Sequence, residues 1–260
     1  GCRAWGRFLD RMGAVTRVQP VTGLTFNQYA ECLSMDKAKS IPQPRQAIYH
    51  ALADVAQAIG HVHRLELLEA ISQGPRSVEA LAEATGLSVA NTSRHLQLLR
   101  RARLVEPDRQ GKHIYYSLSG EAEVVALLRA LGCFGERNVA EVQGVMRDFF
   151  EQRDALEPVS REALLERLAT DGVTLLDVRP SSEYALGHLP GALNVPASEL
   201  EAALINLPKD REIVAYCRGP YCVMSFEVVE KLRALGFTVR RLEDGFPEWK
   251  AAGFEVITGP

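Results

Sequence analysis

The sequence lacks long apolar runs and has few cysteines. No stretch of about 18 uncharged apolar residues occurs, so no segment is predicted to cross a membrane. Charged residues such as Arg7, Asp10 and Arg11 interrupt the start of the chain, which argues against a secretory signal. Five cysteines, at 2, 32, 133, 217 and 222, are an odd number and do not indicate a disulfide framework. We therefore expect a soluble protein of the reducing cytoplasm.

The chain also lacks the charge excess of a disordered protein. Its hydrophobic share of 47% and charged share of 24% are typical of globular proteins. A length of 260 residues predicts two cores of about 100 residues each. The leader before Met35 shows no clear periodicity, and two interpretations stay open: a disordered arm, or a native start at Met35. We predict an arm at 1–40, a helical domain at 41–157 and an α/β domain at 158–260.

The helical domain contains the spacing of a helix-turn-helix. Apolar residues recur at helical intervals over 43–59 and 63–72. Ser77 and Ser88 are placed to cap two further helices separated by a glycine turn. The segment 77–104 is therefore predicted to form the motif.

A β-hairpin and a long helical segment follow. Apolar and polar residues alternate over 106–119 around a polar turn at 108–112, which predicts a wing. The helical pattern resumes over 121–157, and Gly132 and Gly135 are expected to bend or interrupt it. The apolar stripe of this segment is longer than one small core can use, which favours a homodimer interface.

The stretch GLSVANTSRHLQLLRRARLVEPDRQGKHIYYSLSG resembles the ArsR/SmtB family of dimeric winged-helix repressors, over about residues 43–150. The second helix of the motif is expected to meet base edges and phosphates in the major groove, and the wing to contact phosphates and the minor groove. A solvated basic face without function is the alternative. The candidate DNA-binding residues that are expected to face outward on this helix are Ser88, Asn91, Thr92, Ser93, Arg94, His95 and Gln97. Those of the wing are Arg109 and Lys112 at its tip, with His113 and Tyr115 behind them.

The ligands of metal-sensing family members are missing. Thiolate sensors carry Cys-x-Cys where this chain has Ser77 and Glu79, and no histidine occurs over 121–145. Persulfide-sensing relatives pair two cysteines, but Glu69 lies near the first of those regions and only Cys133 remains. We predict no metal and interpret Cys133 as a buried structural thiol, unless it pairs with a cysteine from elsewhere.

After Pro158 the pattern changes to alternating strands and helices, which predicts a parallel α/β sheet. The segments LLDVRPSSEYALGHLPGALNVP, IVAYCRGPYC and LEDGFPEWKAAGFEV resemble a single rhodanese domain over 159–257. The resemblance implies a five-stranded parallel sheet flanked by helices, and sulfur transfer through an enzyme persulfide. The strands are predicted at 173–178, 192–195, 212–216 and 238–242.

Cys217 ends an apolar strand and precedes a helix, at the edge where open parallel sheets bind ligands. Loop amides and the helix N-terminus would stabilise its thiolate and then the persulfide anion. We therefore predict that Cys217 is the nucleophile. Its active-site loop consists of Arg218, Gly219, Pro220, Tyr221, Cys222 and Val223.

The individual residues of the loop indicate which substrates and reactions it favours. Arg218 is placed to attract an anionic donor such as thiosulfate, whereas Val223 stands where phosphatases and arsenate reductases of this fold need an arginine. Gly219 comes one place early relative to Cys-Arg-x-Gly, and Pro220 supplies no N–H. Cys222 is either a resolving thiol that attacks a persulfide on Cys217 or a passive neighbour. The residues expected to support the site through hydrogen bonds are Asp177, Arg179, Glu183 and His188.

These features predict a homodimeric regulator in which a persulfide on Cys217 is linked to DNA occupancy. One alternative is a sulfurtransferase enzyme that uses the winged helix mainly to dimerise. A weaker alternative is a metal- or arsenic-responsive repressor. The expected partners are double-stranded operator DNA, a sulfane-sulfur donor and a thiol acceptor, with no membrane and no cofactor.

Overall fold

A computed structural model describes residues 43–151, 158–170 and 172–259. The predicted arm at 1–40 lies outside these residues, and both predicted domain boundaries fall in or beside segments that are not described, so they stay predictions. The chain divides into two compact units, 1–53 and 54–260. The described part of the first unit is the start of helix α1; everything else below belongs to the second.

The first half of the chain is a winged helix-turn-helix, as predicted. Ser77 caps α3 by accepting the N–H of Ala80 at 3.2 Å, and Gly86 ends that helix in the left-handed region, with φ of 66°. The elements are α1 (Pro44–Ile59), α2 (Val62–Ser72), β1 (Arg76–Ser77), α3 (Val78–Thr85), α4 (Val89–Arg101), β2 (Val105–Gln110), β3 (His113–Leu118), α5 (Glu121–Asn138) and α6 (Ala140–Val145), followed by a π-helical turn (Met146–Glu151).

The small sheet and the helices share one apolar core. Strand order is β1-β3-β2, and both pairs are antiparallel. Fully burying a leucine contributes about 1.5–3 kcal/mol, so this cluster supplies much of the stability of the motif. The buried members include Leu67, Leu68, Ile71, Leu81, Leu96, Leu99, Val105, Tyr116 and Val124.

The expectation that Gly132 or Gly135 interrupts the long helix is wrong. Helix α5 runs through Gly132 and Gly135 and ends at Asn138. Gly132 serves packing instead, because a Cβ there would lie 2.5 Å from the hydroxyl oxygen of Tyr221. The break falls at Val139, whose extended backbone separates α5 from α6.

The second half is a parallel α/β domain with strand order β5-β4-β6-β7. Two clusters of buried apolar side chains cover the sheet. No helix within the described parts of the chain is long and apolar enough to cross a membrane. The elements are α7 (Arg161–Ala169), β4 (Val173–Asp177), α8 (Ser181–Leu186), β5 (Leu193–Asn194), α9 (Leu200–Ala203), β6 (Glu212–Tyr216), α10 (Val223–Ala234), β7 (Val239–Arg241) and α11 (Phe246–Ala251).

The sheet has four strands in the described residues, not the five that the resemblance implied. At the fifth position, beside β7, a single parallel bridge joins Val159 to Leu242. Pro158 has no N–H to offer, and Ser160 already caps α7 by accepting the N–H of Ala163. Only Val159 is left to pair, which is too little for a strand.

Candidate functional site

Cys217 follows the last residue of β6, where the chain leaves the sheet and turns toward α10. Its side chain is buried, with 2% exposed. Cys222 directly precedes α10, donates its N–H to the carbonyl of Gly219 at 3.2 Å and forms a disulfide with Cys217. Their Cα atoms are 6.3 Å apart. The two cysteines of the loop are therefore close enough for their sulfurs to react with each other.

The turn before α11 packs against this loop. The N–H of Phe246 donates to the carbonyl of Cys217 at 3.0 Å. A side chain at Gly245 would collide with the backbone of Arg218 and Gly219, so only glycine allows this approach. Gly245 was not predicted as a site residue, although a Gly-Phe-Pro run ahead of a short helix was a signal for it.

Arg218 is paired with the buried carboxylate of Glu183. Its Nε donates to Oε1 and Oε2 at 3.1 and 3.0 Å, and its Nη2 donates to Oε1 at 2.6 Å. Nη2 of Arg76, from the winged helix, lies 2.8 Å from the same Oε1. The cation expected to attract an anionic donor is thus balanced by a carboxylate, which reduces its pull on a second anion.

Two opposing effects set the charge of Glu183. Burial favours its neutral form, but the hydrogen bond and charge of Arg218, followed by the charges of Arg76 and Arg179, outweigh burial. The pKa of Glu183 therefore lies below its usual value. The carboxylate stays ionised at neutral pH and holds two cations together.

Gln73, the residue after α2, connects the winged helix to the cysteine loop. Its side chain is fully buried, with 0% exposed. Nε2 donates to the carbonyl of Arg218 at 3.3 Å, and Oε1 accepts from Nη1 of Arg179 at 3.2 Å. Gln73 was not predicted as a site residue, because a single glutamine forms no motif and its partners lie 145 and 106 residues away.

Tyr221 makes a second contact, with helix α5. Its hydroxyl donates to Oε1 of Glu136 at 2.7 Å. Desolvation, together with the hydrogen bond and charge of Glu136, raises the pKa of Tyr221, so the hydroxyl keeps its proton. Elements of the winged helix therefore hold the cysteine loop at Arg218 and at Tyr221.

The predicted supporting residues lie around the strand ends, and all four are buried. Arg179 donates from Nε and Nη2 to the carboxylate of Asp177 at 3.0 and 2.6 Å, and from Nη2 to the carbonyl of Gly187 at 2.7 Å. The ring of His188 stacks on Tyr184 with centroids 3.6 Å apart. These contacts, together with those of Glu183, stabilise the backbone around the loop.

Helix α4 exposes part of the predicted DNA-binding set. Asn91, Arg94 and Gln97 are exposed and Ser93 is partly exposed. Ser88 caps the helix, because its Oγ accepts the N–H of Asn91 at 3.3 Å. The exposed members lie on the face of α4 opposite the buried Leu96 and Leu99.

The prediction that Thr92 faces outward is wrong. Its side chain is 0% exposed, and its Oγ1 donates to the carbonyl of Ser88 at 3.1 Å. Thr92 precedes the buried Leu96 and Leu99 by four and seven residues, which is the spacing of one helix face. That spacing was present in the sequence.

His95 is only partly exposed, and it packs against two other histidines instead of facing fully outward. The centroid of its ring lies 4.7 Å from that of His61 and 5.8 Å from that of His63. Burial, followed by the charges of His61 and Arg64, lowers the pKa of His95, which favours the neutral ring. Within the described parts of the chain, no group of three or more His, Cys, Asp or Glu side chains could hold a metal ion.

The wing ends in a tight turn. Gln110 pairs with His113, which leaves Gly111 and Lys112 between the strands, and Gly111 has φ of 63°. The predicted wing residues lie at or near this turn, with Arg109 and Lys112 exposed and His113 and Tyr115 partly exposed.

Comparisons with known proteins agree with both halves of the fold. Residues 61–106 match the model of the bacterial regulatory protein, arsR family, and residues 160–252 match that of the rhodanese-like domain. The chain is 40% identical over 215 residues to the HTH-type transcriptional regulator Rv0324 of Mycobacterium tuberculosis, covering 83% of this chain and 94% of that protein. It is 33% identical over 101 residues to a sulfurtransferase of Allochromatium vinosum, covering 38% of this chain and 92% of that protein.

A solved structure matches the first half. The winged helix-turn-helix DNA-binding domain of a possible ArsR-family regulator from Mycobacterium bovis is 31% identical, with a TM-score of 0.36, and covers 41% of this chain and 95% of that chain.

A helix-turn-helix with a β-hairpin wing, followed by a parallel sheet that carries a cysteine loop, defines a class of two-domain DNA-binding regulator. The chain belongs to the arsR family of bacterial regulatory proteins and carries a rhodanese-like domain after its winged helix.

Proposed function

We propose that this regulator responds to sulfane sulfur through a persulfide on Cys217. The observation that carries the proposal is the contact between the cysteine loop and the winged helix. Gln73 bonds the carbonyl of Arg218, and Glu136 accepts from the hydroxyl of Tyr221. A change in the loop therefore acts directly on residues of the DNA-binding half.

The loading step uses the thiolate of Cys217 and a sulfane-sulfur donor such as thiosulfate. The thiolate attacks the outer sulfur, a new S–S bond forms on Sγ, and sulfite leaves with the electron pair of the broken bond. Loop amides and the N-terminus of α10 stabilise the thiolate and then the terminal persulfide anion. Pro220 contributes no N–H to this cradle.

Unloading has two routes. An external thiol acceptor can take the outer sulfur as its own persulfide and leave the Cys217 thiolate. Alternatively, the Cys222 thiol attacks Sγ of Cys217, a disulfide forms, and the outer sulfur leaves as HS⁻ with the electron pair and the proton. The disulfide contact between Cys217 and Cys222 supports the second route.

The path from the loop to the DNA-binding surface is short. Gln73 is followed by β1, where Arg76 pairs with Tyr116 of the wing and Ser77 caps α3. A displacement of the loop on persulfide or disulfide formation would move Gln73 and Arg76 and so tilt the motif. The linkage is reciprocal, because DNA must then alter sulfur loading by the same factor.

We propose that the DNA-bound form is a homodimer. Ile48, Tyr49 and Leu52 of α1 are exposed apolar residues. A second copy would cover such surface and place two α4 helices at two half-sites. The proposed DNA contacts come from the exposed Asn91, Arg94, Gln97, Arg109 and Lys112 and the partly exposed Ser93, with His113 and Tyr115 beside them.

The test compares DNA affinity with and without sulfur loading. Genomic fragments captured by the full-length protein supply the operator, and fluorescence anisotropy then gives Kd for reduced and polysulfide-treated protein. We expect Kd to change about tenfold or more, a typical allosteric coupling of about 1–3 kcal/mol. Cys217→Ser should bind DNA with the affinity of the reduced protein and not respond. A Cys217→Ser protein that responds like the unaltered one would refute the proposal.

The competing function is that of a sulfurtransferase whose winged helix mainly dimerises. The similarity to the A. vinosum sulfurtransferase favours it as a second candidate. Sulfite release from thiosulfate, with a thiol acceptor present, measures this activity. Rapid turnover that depends on Cys217, together with a Kd for DNA that loading leaves unchanged, would establish the enzyme instead.

A further inference from the structure

A large apolar cavity lies between the winged helix and the cysteine loop. Its volume is about 920 Å³, near the upper end of the usual range for small-molecule sites, about 300–1,000 Å³. Helices α2, α5 and α6 and loop residues 218–221 line it. The apolar lining includes Leu65, Leu128, Phe134, Val142, Met146 and Phe150.

One cation in this lining has unused hydrogen-bond donors. Arg129 of α5 is only 8% exposed, and within the described residues its Nε and Nη1 have no hydrogen-bond partner. Leaving a buried charge unpaired is costly, and a guanidinium has the geometry to hold a carboxylate with two parallel bonds. The cavity thus combines an apolar volume with a free anchor for an anion.

The neighbouring carboxylates compensate Arg129 only in part. Burial, followed by the charge of Asp244, raises the pKa of Glu248 to about 7, so this carboxyl is partly protonated at neutral pH. Glu66 and Glu141 are exposed to solvent, which screens them. Desolvation raises the pKa of Glu69, which also favours its neutral form.

We propose that this cavity binds an apolar organic anion, such as a medium-chain or long-chain carboxylate, whose anionic group pairs with Arg129. The hydrocarbon part lies along the side chains of α2, α5 and α6. A second copy of this chain is the rival occupant, since Phe134 is 61% exposed at the cavity. An apolar helix face would leave Arg129 unpaired, whereas an anionic ligand satisfies both the charge and the apolar walls.

The site goes beyond the sulfur response proposed above, because none of its chemistry needs Cys217. It nevertheless touches the same loop, since Gly219, Pro220 and Tyr221 belong to its lining. A bound ligand would therefore contact the loop from a region that sulfur donors do not need to enter. Binding is the property to test first, and its failure leaves the sulfur proposal unaffected.

The test is a calorimetric titration of the full-length protein with sodium dodecanoate below its micelle concentration. We expect one saturable site per chain. Dodecyltrimethylammonium, which has the same chain and the opposite charge, should bind about tenfold or more weakly. Arg129→Met should weaken dodecanoate binding about tenfold or more, because it removes a charge-assisted hydrogen bond. Arg137→Met, on an exposed residue of the same helix, should not.

A second variant guards against misfolding of Arg129→Met. Val142→Trp fills the cavity without changing its charge and should also abolish saturable binding, while circular dichroism reports whether each variant is folded. Dodecanoate binding that is equal in Arg129→Met and the unaltered protein would overturn the proposal. Absence of saturable dodecanoate binding to the unaltered protein would also overturn it, and a loss of dimers in Val142→Trp by sedimentation velocity would then assign the cavity to a subunit interface.

Discussion

The exposed side of α4 and the cysteine loop differ in how many contacts they make with the rest of the protein. Asn91, Arg94 and Gln97 are exposed side chains on a helix that is packed only along its opposite face. Cys217 is buried, and its loop is hydrogen-bonded to three separate parts of the fold, through Phe246, Gln73 and Glu136. Changes on α4 should therefore affect DNA alone, whereas changes around the loop should affect stability, sulfur chemistry and DNA together.

The largest expected effect tests how tightly the loop is packed. Gly245→Ala pushes a Cβ into the backbone of Arg218 and Gly219, and overpacking of this kind costs up to about 3 kcal/mol. Urea denaturation should show this loss. Sulfite release from thiosulfate should fall as well, because the loop must move.

The matched control is a glycine with room around it. Gly144 lies in α6, and a Cβ built on it has no heavy atom within 4 Å apart from its chain neighbours and the backbone of its own helix. Gly144→Ala should therefore stabilise the protein by up to about 1 kcal/mol through helix propensity. Equal stability of Gly245→Ala and the unaltered protein would show that the loop is not packed as described.

The next effect is electrostatic and depends on pH. The pKa of Glu183 is lower in the folded state than in the unfolded state. The ion pairs of Glu183 therefore stabilise the protein fully at pH values above the unfolded pKa, and this stabilisation is lost as the pH falls through the folded pKa. Glu183→Gln should be less stable than the unaltered protein by about 3 kcal/mol at pH 6, because Arg76 and Arg218 lose their partner. Denaturation at pH 6 and pH 3 checks this.

The difference in stability between Glu183→Gln and the unaltered protein should shrink as the pH falls from 6 toward 3, because the carboxyl is then protonated first in the unfolded chain and at lower pH in the folded one. Glu201→Gln, on an exposed residue of α9, controls for general acid effects. A gap that stays constant with pH would mean that the charge of Glu183 does not hold the two arginines.

A smaller effect is expected at Gln73, where a substitution should uncouple sulfur loading of the loop from DNA binding by the winged helix. Gln73→Leu keeps much of the volume but leaves the carbonyl of Arg218 and Nη1 of Arg179 without a partner, a loss of about 1–3 kcal/mol. We expect sulfur loading of Cys217, measured by mass spectrometry, to persist while the change in DNA affinity on loading diminishes. An undiminished change would show that coupling does not pass through Gln73.

Local features could be predicted from the sequence, and long-range contacts could not. Ser77 and Ser88 cap the helices of the motif because each cap depends on residues three positions away. The position of Cys217 at a strand end followed equally from neighbouring residues. Gln73 escaped prediction because its bond to Arg218 spans 145 residues and leaves no local pattern. Thr92 was predicted to face outward because it is polar, although its spacing of four residues from Leu96 indicates the inner face of the helix.

The smallest structural effect, and the one confined to DNA, belongs to α4. Arg94→Ala should leave the free energy of unfolding within about 0.5 kcal/mol, because its side chain is exposed. It should weaken operator binding and lower the slope of log Kd against log salt by about one, as for the loss of one phosphate contact. Thr92→Val should have the opposite effects. It should lower the free energy of unfolding, because a buried hydroxyl is lost, and leave the salt slope of operator binding unchanged, because the surface of α4 stays the same. If Thr92→Val changed the salt slope as Arg94→Ala does, the assignment of inner and outer faces on this helix would be wrong.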